Sequence, residues 1–157
     1  MKKRSLTEIL IWIVGTELVG AVSALLAGSF SDFFNNHKEP PLLPPAWLFP
    51  VVWVILYAVM GFSAYLVHSS ESARFAKKNA LNAYYVQLGL NFLWSILFFR
   101  FEALWLAFFE IAALLFAIII MITRFKRVDL LAARLNLPYL VWVTFAAYLN
   151  LATAIIN

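Results

Sequence analysis

The sequence predicts an all-α integral membrane protein, a bundle of five transmembrane helices forming a single domain over residues 1–157. Three observations carry this reading. Apolar residues make up 64% of the chain and charged residues only 13%, about half the usual globular share. Aromatics reach 17%, including six Trp and fifteen Phe, which is more apolar surface than a soluble domain of this length can hide. Five apolar stretches each approach the ~20 residues that cross a ~30 Å hydrocarbon core as helix. Such continuous runs are unlike the alternating strands of a membrane barrel. The same composition excludes disorder, collagen-like structure and coiled coil.

The spans are expected at about 6–28, 46–67, 81–99, 103–123 and 130–156. In the first, Thr16, Gly20, Ala24 and Gly28 recur every four residues, small side chains that let helices approach closely. Packing inside the monomer is the preferred reading, with a dimer seam as the other. Lys2, Lys3 and Arg4 before an apolar run also fit a signal peptide. The run, however, exceeds the ~7–15 residues of an h-region and is interrupted by Glu17, so it is read as a span. The connection 29–45 reads SFSDFFNNHKEPPLLPP, and its prolines Pro40, Pro41, Pro44 and Pro45 stiffen it. Pro45 is expected in the first turn of the second helix.

On that helix Trp53 and Tyr57 share a face, continued by Met60 and Gly61. On the third, Gln87, Asn91 and Ser95 form a polar stripe. An amide facing lipid without a partner costs of order 2–7 kcal/mol, so the stripe must face the bundle or a cavity. It is either interhelical glue, at about 0.6 kcal/mol per contact, or the polar wall of a pocket. A short link around Arg100 makes spans three and four an antiparallel hairpin. Glu17 and Glu110 lie inside apolar spans and should face the interior, each either a proton- or ligand-linked site or a hydrogen-bonded structural acid. Residues 124–129 read RFKRVD; Asp129 is the expected N-cap of the last helix, and Pro138 should kink that helix or mark its true start. There Trp142, Ala146, Leu149 and Asn150 share a face. Trp47, Tyr84 and Tyr85 suit an interfacial belt, while Trp12, Trp94 and Trp105 are expected to pack or face lipid.

Charge orients the bundle. Lys2, Lys3, Arg4, Arg74, Lys77, Lys78, Arg124, Lys126, Arg127 and Arg134 fall on one side, ten bases against Lys38 and Arg100 on the other. The N-terminus is therefore expected inside and the C-terminus outside, with the proline-rich loop facing outward. A net charge of +4 scattered over several loops does not suggest nucleic acid. The absence of Cys removes disulfides, thiolate metal sites and Cys nucleophiles. His37 and His68 flank the second span, ~30 Å apart, so no metal site is expected, and no intramembrane His exists to ligate haem iron. Phosphate loops, zinc motifs and hydrolase elbows are missing, and Ser95 has no His to activate it, so an enzyme is not expected.

Residues 38–61 read KEPPLLPPAWLFPVVWVILYAVMG, and this segment resembles the signature of the TspO/translocator protein family, also called tryptophan-rich sensory proteins or peripheral benzodiazepine-receptor proteins. Two further segments agree in order: Gln87-Leu88, Leu90-Asn91 and Trp94-Ser95, then LAARLNLPYLVWVTFAAYLN with Pro138-Tyr139, Trp142, Phe145-Ala146 and Leu149-Asn150. Glu39 stands where the family usually has Lys, with Lys38 one residue earlier. No basic residue follows Tyr148, so the sterol pattern of animal members is absent. The resemblance implies a receptor or sensor in a lipid bilayer, expected in a bacterial cell membrane, that binds porphyrins, haem or other hydrophobic ligands and requires no cofactor. It implies a ligand pocket of Trp53, Tyr57, Gln87, Asn91, Ser95, Trp142, Phe145, Ala146, Leu149 and Asn150 under a lid carrying Pro40, Pro44, Pro45 and Trp47. Lys38 or Arg100 would meet a ligand carboxylate, and a homodimer is implied. The alternatives are a tetrapyrrole transporter, which the lack of an internal repeat disfavours, and a light- and oxygen-dependent porphyrin-degrading enzyme using Trp53 and Trp142.

Overall fold

A computed structural model describes residues 5–157, which form seven α-helices and one π-helical turn. Lys2, Lys3 and Arg4 lie outside the described residues. Five helices are long: α1 (Leu6–Ala27), α3 (Leu48–Ser69), α4 (Arg74–Ser95), α5 (Leu104–Lys126) and α7 (Leu137–Ile156). Two are short: α2 (Phe30–Asn36), between α1 and α3, and α6 (Leu130–Leu135), before α7. Four segments are long and apolar enough to cross a membrane: Leu6–Asn36, Leu48–Ser69, Leu104–Lys126 and Leu130–Ile156. The fifth long helix, α4, falls outside that set because polar residues run along it, Arg74, Lys77, Lys78 and Asn79 in its first turns and Asn82, Gln87 and Asn91 further on.

Several boundaries differ from the sequence expectation. The third span begins at Arg74 rather than near 81, because Lys and Arg are good helix formers and the helix continues past the edge of its apolar stretch. The connection expected over 68–80 thereby shrinks to 70–73. The 29–45 connection is not irregular throughout. α1 stops at Gly28, whose φ of +92° suits a residue without Cβ. Ser29 then caps α2, its hydroxyl accepting from the Asp32 amide at 3.2 Å. Pro45 is not in the first turn of the second long helix; it precedes it, its carbonyl accepting from the Leu48 amide at 2.9 Å, and Pro50 occupies that turn instead.

The end of the third span is a π-helical turn, Ile96–Arg100, that buries Phe98 and leads through Glu102, at φ +51°, into α5. The last span divides at Asn136. Asp129 caps α6, accepting from the Ala132 amide at 2.8 Å, and Pro138 sits in the first turn of α7, so it marks a start rather than a kink. Buried Asn136 staples the break, its side-chain amide donating to Ala132 O and to Ser63 Oγ on α3, both at 2.8 Å.

In the bundle α1 lies along α3 and touches α4 and the π-helical turn that follows it; α4 and α5 form the expected antiparallel hairpin; α5 packs on α7, and α6 closes the ring against α3 and α5. Core packing follows helical spacing, as in α5, where Ile111, Leu114, Ile118 and Met121 are wholly buried while Phe109 and Phe116 point outward. Among such apolar surroundings burial alone gives little reason for helices to associate, so close backbone approach and interhelical hydrogen bonds carry more of the specificity.

Candidate ligand cavity

The α1–α3 seam shows how a cavity arises. A methyl built on Gly61 would stand 2.7 Å from the Ile13 Cα and from the Trp12 carbonyl, so the two backbones are in direct contact there. One step along, Gly20 lies flat against the Tyr57 ring, which a side chain at Gly20 would strike. Beyond these points the small-residue series of α1 leaves space, and a Cβ on Gly28 would meet nothing within 4 Å. Ala24, Ala27 and Gly28 line a cavity of about 290 Å³. Its roof comes from Ser29, Phe30 and Ser31 at the start of α2, one wall from Ala46, Phe49, Pro50, Trp53 and Tyr57, and the other from Asn91, Trp94, Ser95 and Phe99.

The floor is polar and fully paired. Tyr57 Oη donates to Asn91 Oδ1 at 2.7 Å, and Asn91 Nδ2 donates to Tyr139 Oη at 2.7 Å. Tyr139 in turn donates to Gln87 Oε1 at 2.7 Å, and Gln87 Nε2 ends the chain on Met60 Sδ at 3.8 Å. A second group closes the side wall: Ser23 Oγ donates to the Phe92 carbonyl at 2.9 Å and lies 3.0 Å from Ser95 Oγ. The aromatic surface is continuous, with Trp53 tilted against Tyr57 at 5.6 Å between centroids and edge-on to Tyr139 at 6.4 Å.

Of the residues singled out from sequence, Trp53, Tyr57, Asn91 and Ser95 meet at this cavity. Gln87 lies beneath it, completely buried in the hydrogen-bond chain. The α7 group stands elsewhere. Phe30 and Phe49, tilted against each other at 4.4 Å between centroids, separate the cavity from a narrow cleft of about 10 Å³ to which Ala146, Leu149 and Asn150 belong. Asn150 has both its polar functions engaged, accepting from Trp94 Nε1 at 3.0 Å and donating to the Leu104 carbonyl at 2.9 Å. Trp142 sits behind Phe49 at 5.6 Å, its indole N–H buried without a hydrogen-bond partner among the described residues, and Phe145 lies beyond it.

The proline-rich segment is tied down over this end. Lys38 N donates to Asn157 Oδ1 at 2.8 Å and Asn157 Nδ2 donates back to the Lys38 carbonyl at 3.1 Å. Tyr148 Oη donates to Pro41 O at 3.1 Å, and His37 Nε2 approaches Glu102 Oε2 at 3.8 Å. Pro40 is buried, whereas Pro44 and Pro45 border a shallow outward groove and Trp47 is exposed. Of the two acids inside long apolar helices, Glu17 lies against the Ala58 backbone, while both carboxyl oxygens of Glu110 are buried without a hydrogen-bond partner.

Sequence reasoning missed the α1 and α2 contributions. The four-residue repeat ending at Gly28 was the available signal, since small residues continuing past the helix contact leave space. Tyr84 is not an interfacial ring but a buried one whose hydroxyl pairs with Thr16 Oγ1; Tyr85 beside it is exposed.

A profile of the TspO/MBR family matches residues 10–156. The chain is 34% identical over 151 residues to the tryptophan-rich protein TspO of Archaeoglobus fulgidus, covering 90% of this chain and 97% of that one. It is 31% identical to protein CrtK of Rhodobacter capsulatus, over 98% and 94% of the two chains, and 35% identical to the translocator protein of Ovis aries, over 88% and 87%. With its long helices in the order and spacing just described and a match over almost its whole length, the chain belongs to the TspO/MBR family.

Proposed function

We propose that this protein spans a membrane with its five long helices and acts as a receptor or sensor that binds porphyrins and other flat hydrophobic molecules in the cavity beneath α2. The observation that carries the reading is the cavity itself: Trp53, Tyr57, Trp94, Phe49 and Phe99 present aromatic surface around a floor closed by the Tyr57–Asn91 pair. Flat apolar molecules with a few polar atoms suit such a lining. At about 290 Å³ the space lies at the lower edge of small-molecule sites, ~300–1,000 Å³. A tetrapyrrole therefore enters only as α2 and the proline-rich segment lift, and differential binding to the lifted and closed states is the signal. Lys38 and Arg100 lie at this end and can meet ligand carboxylates as the lid moves. The charge bias sets this end outside and the N-terminus inside.

The test is a protoporphyrin titration read by its absorbance shift in detergent or nanodiscs. Trp53→Ala should weaken binding roughly 2- to 10-fold, the value of one aromatic contact at about 0.5–1.5 kcal/mol. Trp142→Ala, shielded by Phe49, should change it less. Unchanged affinity in Trp53→Ala would remove the cavity from the ligand path. Light-dependent loss of pigment, abolished by Trp53→Phe, would instead assign the degrading activity.

A further inference from the structure

A second cavity, of about 400 Å³, lies at the opposite end of the bundle from the lid, where α3 ends and α4 begins. The ligand reading above makes no use of it. Its walls are His68 of α3 and Arg74, Lys77, Lys78, Asn82 and Tyr85 of α4. The α4 positions fall at i, i+3, i+4, i+8 and i+11, so one face of the helix carries all five.

The cations differ in what they do. Lys77 is held in place, its Nζ donating to the Ser70 carbonyl at 2.9 Å and the His68 carbonyl at 3.3 Å, which caps the end of α3 and fixes a positive charge at the back of the cavity. Arg74 and Lys78 are exposed, one turn apart, and make no hydrogen bond or ion pair with a described residue. Like charges at that spacing repel, and an anion between them reverses the sign of the interaction. No acid lines the cavity.

The same face continues away from the charges as apolar surface. Tyr85 is 54% exposed, with Trp12 stacked against it at 6.4 Å. One turn on, Gly89 has open space where a side chain would stand, and a turn further Leu93 is exposed. A cationic mouth is thus continued along α4 by a strip of exposed apolar surface with open space at Gly89.

We propose that this is a site for one anionic phospholipid, its headgroup phosphate held between Arg74 and Lys78 in front of Lys77, its glycerol beside Asn82 and Tyr85, and an acyl chain laid along the exposed apolar strip past Gly89. A soluble phosphate satisfies the charges but leaves the adjoining apolar strip of Tyr85, Gly89 and Leu93 uncovered, which is why the lipid is the occupant. The proposal rests on the membrane-spanning part of the reading above and is independent of the porphyrin cavity. It also places the lipid on the same side as most of the bases, the inner leaflet.

The experiment uses full-length protein in nanodiscs of phosphatidylcholine containing a minority of phosphatidylglycerol, with co-purified lipid counted by native mass spectrometry. Wild type should retain one phosphatidylglycerol in preference to phosphatidylcholine. The double variant Arg74→Gln/Lys78→Gln should bind it about 30-fold more weakly, from about 1 kcal/mol per surface cation. The charge-matched double variant Lys126→Gln/Arg127→Gln, at the C-terminal end of α5, should retain it. Equal loss in both double variants, no preference over phosphatidylcholine, or full displacement by soluble glycerophosphate would overturn the proposal. Protoporphyrin titration of the same samples keeps the two readings apart, since Arg74→Gln/Lys78→Gln should leave it unchanged. Release of the chain from membranes by alkaline carbonate would instead remove the membrane-spanning premise.

Discussion

A single methyl group should act with opposite sign at two glycines of α1. Gly15 faces outward with no atom within 4 Å of an added Cβ, so Gly15→Ala gains helix propensity and should stabilise the protein by about 0.5–1 kcal/mol. Gly20 lies against the Tyr57 ring, and that ring cannot simply turn aside. Its hydroxyl is bonded to Asn91 at 2.7 Å, and Trp53 leans on it at 5.6 Å. Gly20→Ala must therefore part α1 from α3 or break the Tyr57–Asn91 bond. Overpacking costs about 1–3 kcal/mol, and a lost interhelical hydrogen bond adds about 0.6. Less the gain in propensity, the net loss is about 0.5–3 kcal/mol. The assay is reversible unfolding in mixed micelles with dodecyl sulfate, followed by circular dichroism. Removing the ring should relieve the clash, so Gly20→Ala combined with Tyr57→Leu should be less destabilised than the sum of the two single variants. The packing argument is refuted if Gly20→Ala is as stable as Gly15→Ala, or if the two effects simply add.

Other perturbations follow from the same geometry. Asn91→Leu strands the Tyr57 hydroxyl and removes the donor to Tyr139, and should cost about 1–3 kcal/mol in the same unfolding assay; a loss no larger than that of a surface Asn82→Leu variant would show that the chain does not hold α3, α4 and α7 together. Asn157→Ala removes both latch bonds to Lys38 and should raise the rate of proteolytic cleavage within 37–45 several-fold while leaving global stability within about 0.5 kcal/mol; equal cleavage rates in the two proteins would show that Asn157 does not restrain the lid.

How much of this was legible in the sequence depended on the kind of signal. Helix identity and order were clear because apolar stretches of membrane-crossing length have few alternative structures. Their ends were less clear. Arg74, Lys77 and Lys78 read as loop by polarity, yet charged residues with long stems extend a helix readily, and polarity marks an apolar boundary rather than a helical one. The polar stripe on α4 was read with two meanings, and both are present. Asn91 borders the cavity, while Gln87 sits wholly inside the bonding chain. The α7 group was harder to place, because helical spacing identifies a shared face but not what stands in front of it. Here Phe30 and Phe49 stand in front, and Phe30 belongs to a helix hidden in a connection that its prolines made look irregular.

The pairing of the floor bears on selectivity. Tyr57, Asn91, Tyr139 and Gln87 already satisfy one another, and Asn150 and Trp94 do likewise. A ligand in this cavity thus finds few buried donors or acceptors in want of a partner. A new polar contact there would require breaking an existing one, so exchange adds little net free energy. Affinity then comes from aromatic surface, which accepts many flat shapes and discriminates weakly among them, since a hydrophobic wall distinguishes neighbouring ligands by only ~1–3 kcal/mol per methylene. Strong discrimination requires a site left unpaired until the right molecule arrives. Within the described residues the buried side-chain atoms without a partner are Trp142 Nε1, Asn136 Oδ1 and the two Glu110 carboxyl oxygens, and none of these three residues lines the cavity. If the cavity serves as the proposed receptor site, its ligand range is therefore set by shape more than by hydrogen-bond readout.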